Sequence, residues 1–338
     1  MLALVTGSTG FLGSHLCRAL LNAGYQVRAL HRPTSSLTLL NGLPVEYAVG
    51  DITQPGTLTT SMRGVDAVFH AASKVSYWRD SNLMYDVTVG GTRNVLQAAM
   101  AAGVQRVVYT SSVAALGVPE QPAWMVHLSK GTGAPPLLIN ETHVWNYRPQ
   151  WWRYGHAKHL AEREVQRVVA RGLDVVIVNP ATILGPGDVN RISGEIVIQV
   201  AKGIIPMAIP GGMNVIHVAD AARGHLLALE RGRTGERHIL GGENITYLNL
   251  IQTTAEVTGV HAPKRMLPAW LVHALASPVD ILGSITPLPI NGDLLRLAGL
   301  YFYYDTLKAE RILGFTRAYS ARDMVQDTYE WYRKTGMI

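Results

Sequence analysis

The sequence predicts an α/β fold built on a parallel sheet covered on both faces by helices. Three observations carry this. Short Val/Ile/Leu-rich runs alternate with helix-length amphipathic stretches over the first two thirds of the chain. The runs lack the strict apolar/polar alternation of a half-exposed strand, as strands buried on both sides do. The first run passes straight into a glycine-rich turn, Thr6-Gly7-Ser8-Thr9-Gly10-Phe11-Leu12-Gly13, that opens a helix.

Taken in order, residues 2–6 read as the first strand and Phe11–Ala23 as a helix. Further strands follow at 25–30, 45–50 and 66–70, then a long helix over Leu83–Ala102. Strands at 106–111 and 173–179 flank a helix over Tyr154–Arg171. After Pro180 the pattern loosens into loops rich in Gly and Pro, a helix over Asp220–Arg231 and a strand at 237–242 expected to join the same sheet. The rest is mostly helical and apolar. These elements predict a nucleotide-binding domain of residues 1–180 and about 213–244. A smaller, discontinuous C-terminal substrate lobe is expected from about 181–212 and 245–338.

Composition narrows the class. The 338 residues, 48% hydrophobic and 16% charged, suffice for a sizeable core and exclude a disordered chain. The formal net charge is +6, but Lys and Arg are scattered and no nucleic-acid motif appears, so no nucleic-acid partner is expected. The single Cys17 cannot form an intrachain disulfide and reads as a small core residue. His156 and His159 lack a third ligand, so no metal is expected. The start lacks a signal-peptide pattern and no stretch is apolar enough for a transmembrane helix, which predicts a cytoplasmic protein.

The glycine turn has a specific physical logic. Gly7 permits the tight turn, Gly10 lets backbone approach a pyrophosphate, and Gly13 allows close helix–strand packing. The helix start then offers free N–H groups and the positive end of its dipole to phosphates. Ser8, Thr9, Phe11 and Leu12 complete that cradle. This is the context of a Rossmann dinucleotide fold: strand, glycine turn, helix. An NAD-specific site places an acidic residue at the end of the second strand, for the ribose 2′-hydroxyl. Here that strand ends Leu30-His31-Arg32, and a guanidinium there can grip a 2′-phosphate. The expected cofactor is therefore NADP(H) rather than NAD(H). Asp51 and Ile52 are candidates for the adenine end, and Ala71 and Ala72 for the nicotinamide ribose.

Tyr154 and Lys158 stand four residues apart, on one face of a predicted helix. An ammonium beside a phenol favours the phenolate, so such a tyrosine can give a proton to a carbonyl oxygen as hydride arrives. The fifth strand ends Thr110-Ser111-Ser112, where a hydroxyl can hydrogen-bond the substrate oxygen.

Thr6–Gly13, Thr110–Ser112, Tyr154/Lys158 and Gly185-Pro186-Gly187-Asp188 resemble, in order and approximate spacing, the extended short-chain dehydrogenase/reductases of the NAD-dependent epimerase/dehydratase superfamily. The likeness covers nearly the whole chain. Arg32, Val178-Asn179-Pro180, Ile216–Asp220 and Gly241–Asn244 are most similar to the dihydroflavonol-4-reductase-like group, with its 3β-hydroxysteroid dehydrogenase relatives. The resemblance implies Tyr154 as acid/base, Lys158 as its partner, Ser112 as the catalytic serine, and Thr88 and Pro180 at the cofactor. It also implies a homodimer packed through the two long helices. Many members carry Asn where this chain has Thr88, a residue associated with a helix kink and a relay water; a threonine hydroxyl can still hold a water there. Leu116-Gly117 and Thr182 also depart from the nucleotide-sugar enzymes of the superfamily.

The long connection Val113–Gln150, with Trp124, Trp145, Trp151, Trp152 and the apolar 266–304 region, suggests a pocket for an apolar ketone, or else ordinary aromatic packing. The reading is an NADPH-dependent reductase of a small-molecule carbonyl. Two alternatives are a nucleotide-sugar epimerase or dehydratase with tightly bound NAD(P), and a non-catalytic NADP-binding regulator.

Overall fold

The computed structural model describes residues 1–75, 81–120, 137–286 and 292–338. Trp124 and part of the long connection lie outside the described residues. Ten strands are described: β1 (Leu2–Thr6), β2 (Gln26–His31), β3 (Glu46–Val49), β4 (Ala67–His70), β5 (Arg106–Thr110), β6 (Val175–Pro180), β7 (Thr182–Leu184), β8 (Gly212–His217), β9 (Arg237–Leu240) and β10 (Glu243–Thr246). Seven form one parallel sheet in the order β3-β2-β1-β4-β5-β6-β9. The order runs outward from β1 and then restarts at β4 on its other side, which makes this a doubly wound Rossmann sheet. β9 joins this sheet, as the sequence pattern predicts, and takes its edge. β7, β8 and β10 form a separate three-stranded sheet.

The unbroken apolar strands are explained by burial on both faces. Ala3 and Val5 of β1 point into one core with Leu16, Leu20, Ala221 and Ala228, from helices Phe11–Asn22 and Val218–Arg231. Leu4, between them, points into the opposite core with Val95, Leu96, Ala161 and Val165, from helices Gly91–Ala101 and Arg153–Val169. Cys17 is fully buried in the first core, and burial pushes its thiol up to about 12, so it is an inert packing residue.

The helix expected over Leu83–Ala102 is present as an uninterrupted helical run with a change of winding inside it. It consists of Ser81–Tyr85, a π-helical turn Asp86–Gly90, and Gly91–Ala101. The buried Thr88 hydroxyl lies 3.3 Å from Ser73 Oγ, and the Thr92 hydroxyl donates to the Thr88 carbonyl at 2.6 Å. Such single π turns concentrate at functional sites. Thr88 thus sits inside the π turn.

Beyond β10 lie helices Tyr247–Thr258, Ala269–Ile285, Gly292–Arg296, Leu307–Leu313 and Ala321–Lys334. Three small cores serve this part, around Met324 and Val325, around Ile251 and Ala255, and around Val272 and Ala276. The last helix starts on a capping box, with Ser320 and Asp323 satisfying each other's backbone N–H. Ala309, Leu313 and Phe315 return to the Rossmann core, so the chain end is fastened to the sheet.

Candidate active site

The carboxyl ends of β1 and β4 flank the topological switch point, where open α/β sheets bind ligands. The glycine turn sits there. Gly7 has φ +68°, and a Cβ on it would press on the Ala72 backbone nitrogen at 2.8 Å. A Cβ on Gly13 would overlap the Gly7 carbonyl, so helix Phe11–Asn22 approaches β1 only with glycine there. The Ser8 side chain is buried and donates to the Leu30 carbonyl at 2.8 Å, stapling the turn to β2. Thr9, Phe11 and Leu12 lie on the exposed rim of the turn, half-buried. Above them the Gly185–Asp188 loop is held by His15, whose Nε2 lies 2.8 Å from the Pro186 carbonyl oxygen. Four donors, from Ile192, Ser193, Gly194 and Tyr332, fix the Asp188 carboxylate.

One directional chain ties this turn to the π turn. The Ala72 N–H donates to Thr6 Oγ1 at 3.2 Å, which lies 2.7 Å from His70 Nδ1. His70 Nε2 lies 3.0 Å from Thr92 Oγ1, whose own proton goes to the Thr88 carbonyl. Thr92 must therefore accept, and His70 carries its proton on Nε2. Burial pushes the imidazole down to about 3, so His70 is a neutral structural link.

At the end of β2, Arg32 is exposed, and among the described residues its guanidinium has no ion pair or hydrogen bond. Leu30 pairs with Thr6, so Arg32 lies beside the glycine turn. Asp51 caps its own turn, with Oδ1 accepting from the Thr53 N–H and hydroxyl at 2.8 Å each. Ile52 is buried against Gly91, and its carbonyl accepts from Asn94 at 2.8 Å. Ala71 and Ala72 follow β4 directly.

Helix Arg153–Val169 places Tyr154 and Lys158 on one face. Lys158 is buried, and its ammonium donates to the Thr110 carbonyl at 2.9 Å, at the carboxyl end of β5. Burial pulls it down to about 8, with the Glu162 carboxylate opposing. The two serines part company. Ser111 is buried and donates to Glu162 at 2.5 Å, whereas Ser112 is half-buried and accepts from the Ala114 N–H at 3.2 Å. Pro180 ends β6 on the same sheet edge, in register with Leu240.

Three comparisons bear on this geometry. Residues 3–241 match the model of the NAD dependent epimerase/dehydratase family. The chain belongs to this family. A relative named "Putative dihydroflavonol 4-reductase", from Synechocystis sp., is 37% identical over 99% of this chain and 95% of its own length. "Sterol demethylase protein B" of Methylococcus capsulatus is 35% identical over all of both chains. The crystal structure of gox2253 superposes with a TM-score of 0.84, at 35% identity, over 100% of this chain and 99% of that one. The chain is thus an NAD(P)-dependent oxidoreductase of the extended short-chain dehydrogenase/reductase type, in its dihydroflavonol-reductase-like group.

Within this family member, the role of Glu162 escaped the sequence reading. Glu162 is 2% exposed and gathers the Ser111 hydroxyl, the Asn179 amide at 2.7 Å and the Arg237 guanidinium at 2.6 Å. Asn179 also donates to the Ser112 carbonyl at 2.9 Å. The available signal was a charged residue on the apolar stripe Ala157–Ala161–Val165, eight residues after Tyr154. The tryptophans, which the sequence leaves as pocket wall or packing, make ring contacts here. The Trp145 ring lies 6.0 Å from Trp152, 5.7 Å from His156 and stacks on His159 at 5.7 Å. A Cβ on Gly155 would meet the Trp145 ring at 2.8 Å. Trp145 therefore packs the start of helix Arg153–Val169, while Trp151 lies under the guanidinium of Arg148.

Proposed function

We infer that this chain is an NADPH-dependent reductase of a ketone on an apolar small molecule, with Tyr154 as the proton donor. Ser112 orients the carbonyl oxygen, and Lys158 supplies charge to the phenol and holds the nicotinamide ribose. NADPH supplies the hydride when bound. The observation that carries this reading is the juxtaposition at the end of β5: Lys158 anchored on the Thr110 carbonyl, Tyr154 one turn earlier on its helix, and Ser112 two residues past Thr110. Ser112 rather than Ser111 suits the role, because the Ser111 hydroxyl is buried and committed to Glu162. The fit of the dinucleotide rests on the glycine cradle that a Cβ at Gly7 or Gly13 would fill. Gly7–Gly13, Asp51, Ile52, Ala71, Ala72, Thr88 and Pro180 line its course in this reading.

The names of the relatives support a carbonyl reductase or sterol-directed enzyme over a nucleotide-sugar enzyme. So does Asn179, whose amide nitrogen serves Ser112 and Glu162. Residues 1–180 and about 213–244 then act as the cofactor domain, with 181–212 and 245–338 as the substrate lobe, in a cytoplasmic homodimer. The deciding assay is loss of NADPH absorbance against a panel of apolar ketones. Stoichiometric oxidation supports the reading. Turnover of a nucleotide sugar with no net change in cofactor would overturn it.

NADP(H) is preferred because the exposed Arg32 guanidinium follows β2 directly and, among the described residues, makes no ion pair, and the strand itself ends without an acidic residue. Arg32→Ala should weaken NADPH binding by about ten- to a hundredfold, the worth of a charged hydrogen-bonded contact, and leave NADH binding nearly unchanged. Equal losses for both nucleotides in fluorescence titrations would reject the assignment.

Lys158 gives a pH prediction. Its ammonium loses its proton near pH 8, so NADPH affinity should fall as pH rises through about 8. The sign for stability is opposite. The folded state gives up the proton below the 10.5 of an unfolded lysine, so this group stabilises the fold increasingly from about 8 to 10.5. A flat NADPH-affinity profile across that window would remove the ammonium from cofactor binding.

A further inference from the structure

Helix Ala269–Ile285 is apolar on two opposite sides. Val272, Ala276, Val279 and Gly283 face inward, against Leu295, Ala298, Ile209 and Leu267. The opposite stripe, at i, i+4, i+11 and i+15, carries Trp270, Ala274, Ile281 and Ile285, with Leu275 and Leu282 beside it. Trp270 is 66% exposed, Ile281 68% and Ile285 74%. A second apolar stripe on a helix, here interrupted by Ser277, belongs against a larger core or against lipid. None of the helices among the described residues is long and apolar enough to cross a membrane, so crossing is not its use.

The surroundings choose the occupant. Just before the helix, Lys264 and Arg265 are exposed beside Met266, which is 41% exposed. The Arg265 carbonyl accepts from the Ala208 N–H at 3.0 Å, which fixes this segment beside Ala208. Asp280, the acidic residue within the helix, is neutralised by Arg296 at 2.7 Å. The face is thus an apolar stripe about 25 Å long with a basic, tryptophan-bearing end. Aromatic and basic flanks on an apolar helix lying flat suit the headgroup boundary of an anionic bilayer. A second copy of the chain suits it less. The five large side chains fall well short of the roughly 20 residues per side of a stable interface.

We propose that helix Ala269–Ile285 docks this protein in-plane on an anionic lipid surface, through Trp270, Ile281 and Ile285 with Lys264 and Arg265 at its rim. The docking goes beyond the reductase reading and stands without it. It would let an apolar substrate pass from bilayer to lobe without crossing water.

The test is co-sedimentation with vesicles of phosphatidylcholine alone and of phosphatidylcholine with phosphatidylglycerol, with no substrate present. Wild type should bind the mixed vesicles about tenfold more tightly than the neutral ones, from its two rim cations. Trp270→Glu/Ile281→Glu should lose sedimentation while keeping its thermal transition and nucleotide binding. Should that pair fail to fold, Lys264→Glu/Arg265→Glu gives the second reading: binding weakened on mixed vesicles and unchanged on neutral ones. Wild type remaining in the supernatant with both vesicles overturns the proposal. So does conversion of a dimer to monomer by Trp270→Glu/Ile281→Glu with lipid binding intact, which would give the face to a second copy.

Discussion

Tyr154→Phe should lower kcat by about 10²- to 10⁴-fold while leaving NADPH binding within a few-fold of wild type. The size is that of losing a positioned general acid in the transition state. Hydride arrival makes an alkoxide, and without the phenol its proton must come from water. The ring stays, so the helix start keeps its packing. Gly155 remains against Trp145, and Lys158 keeps its bond to the Thr110 carbonyl, since neither contact involves the phenolic oxygen. The loss should therefore fall on kcat and kcat/KM together, as expected of a group that acts only in the transition state. Steady-state kinetics with the best ketone, beside fluorescence titration of NADPH, separates the cases. Unchanged turnover would dismiss Tyr154 from the mechanism. Turnover lost together with NADPH binding would mean that the ring holds cofactor rather than moving a proton.

The parts of this molecule that were legible in the sequence share one physical property: their signal is local. β1 and the glycine turn are contiguous, and a strand buried on both faces reads as an unbroken apolar run, as Ala3, Leu4 and Val5 show. The spacing of Tyr154 and Lys158 is likewise written along one helix. What the sequence hid depends on distant partners. The π turn at Asp86–Gly90 accompanies a meeting of Thr88 with Ser73, and hydrophobic periodicity does not separate an α from a π turn. The His70 chain joins residues from two strands and a helix, and its protonation follows only from where Thr92 sends its proton. Trp145 read equally well as pocket wall or packing. Its contacts with Trp152, His156 and His159, and the pressure on Gly155, place it in packing.

Glu162→Ala carries the largest expected stability loss. Its carboxylate is 2% exposed and takes hydrogen bonds from Ser111 and Asn179 and an ion pair from Arg237. Removing it strands those donors, and breaking a buried pair from one side costs about 3–5 kcal/mol. Arg237 keeps a 24% exposed side chain and can reach water, which puts the expectation at the low end of that range. Activity should suffer separately, because Asn179 is shared between Glu162 and the Ser112 carbonyl. Glu162→Gln discriminates positioning from mere packing. A glutamine carbonyl can still accept from Ser111 and Asn179, so the fold should largely survive. The negative charge that holds the Lys158 proton is gone, however. The fall of NADPH affinity with pH should then begin below the wild-type position near 8, a movement that a purely structural role would not produce. Urea unfolding of Glu162→Ala and the pH profile of Glu162→Gln together decide the matter. A Glu162→Ala chain as stable as wild type, or a Glu162→Gln profile unmoved, would detach this carboxylate from the site.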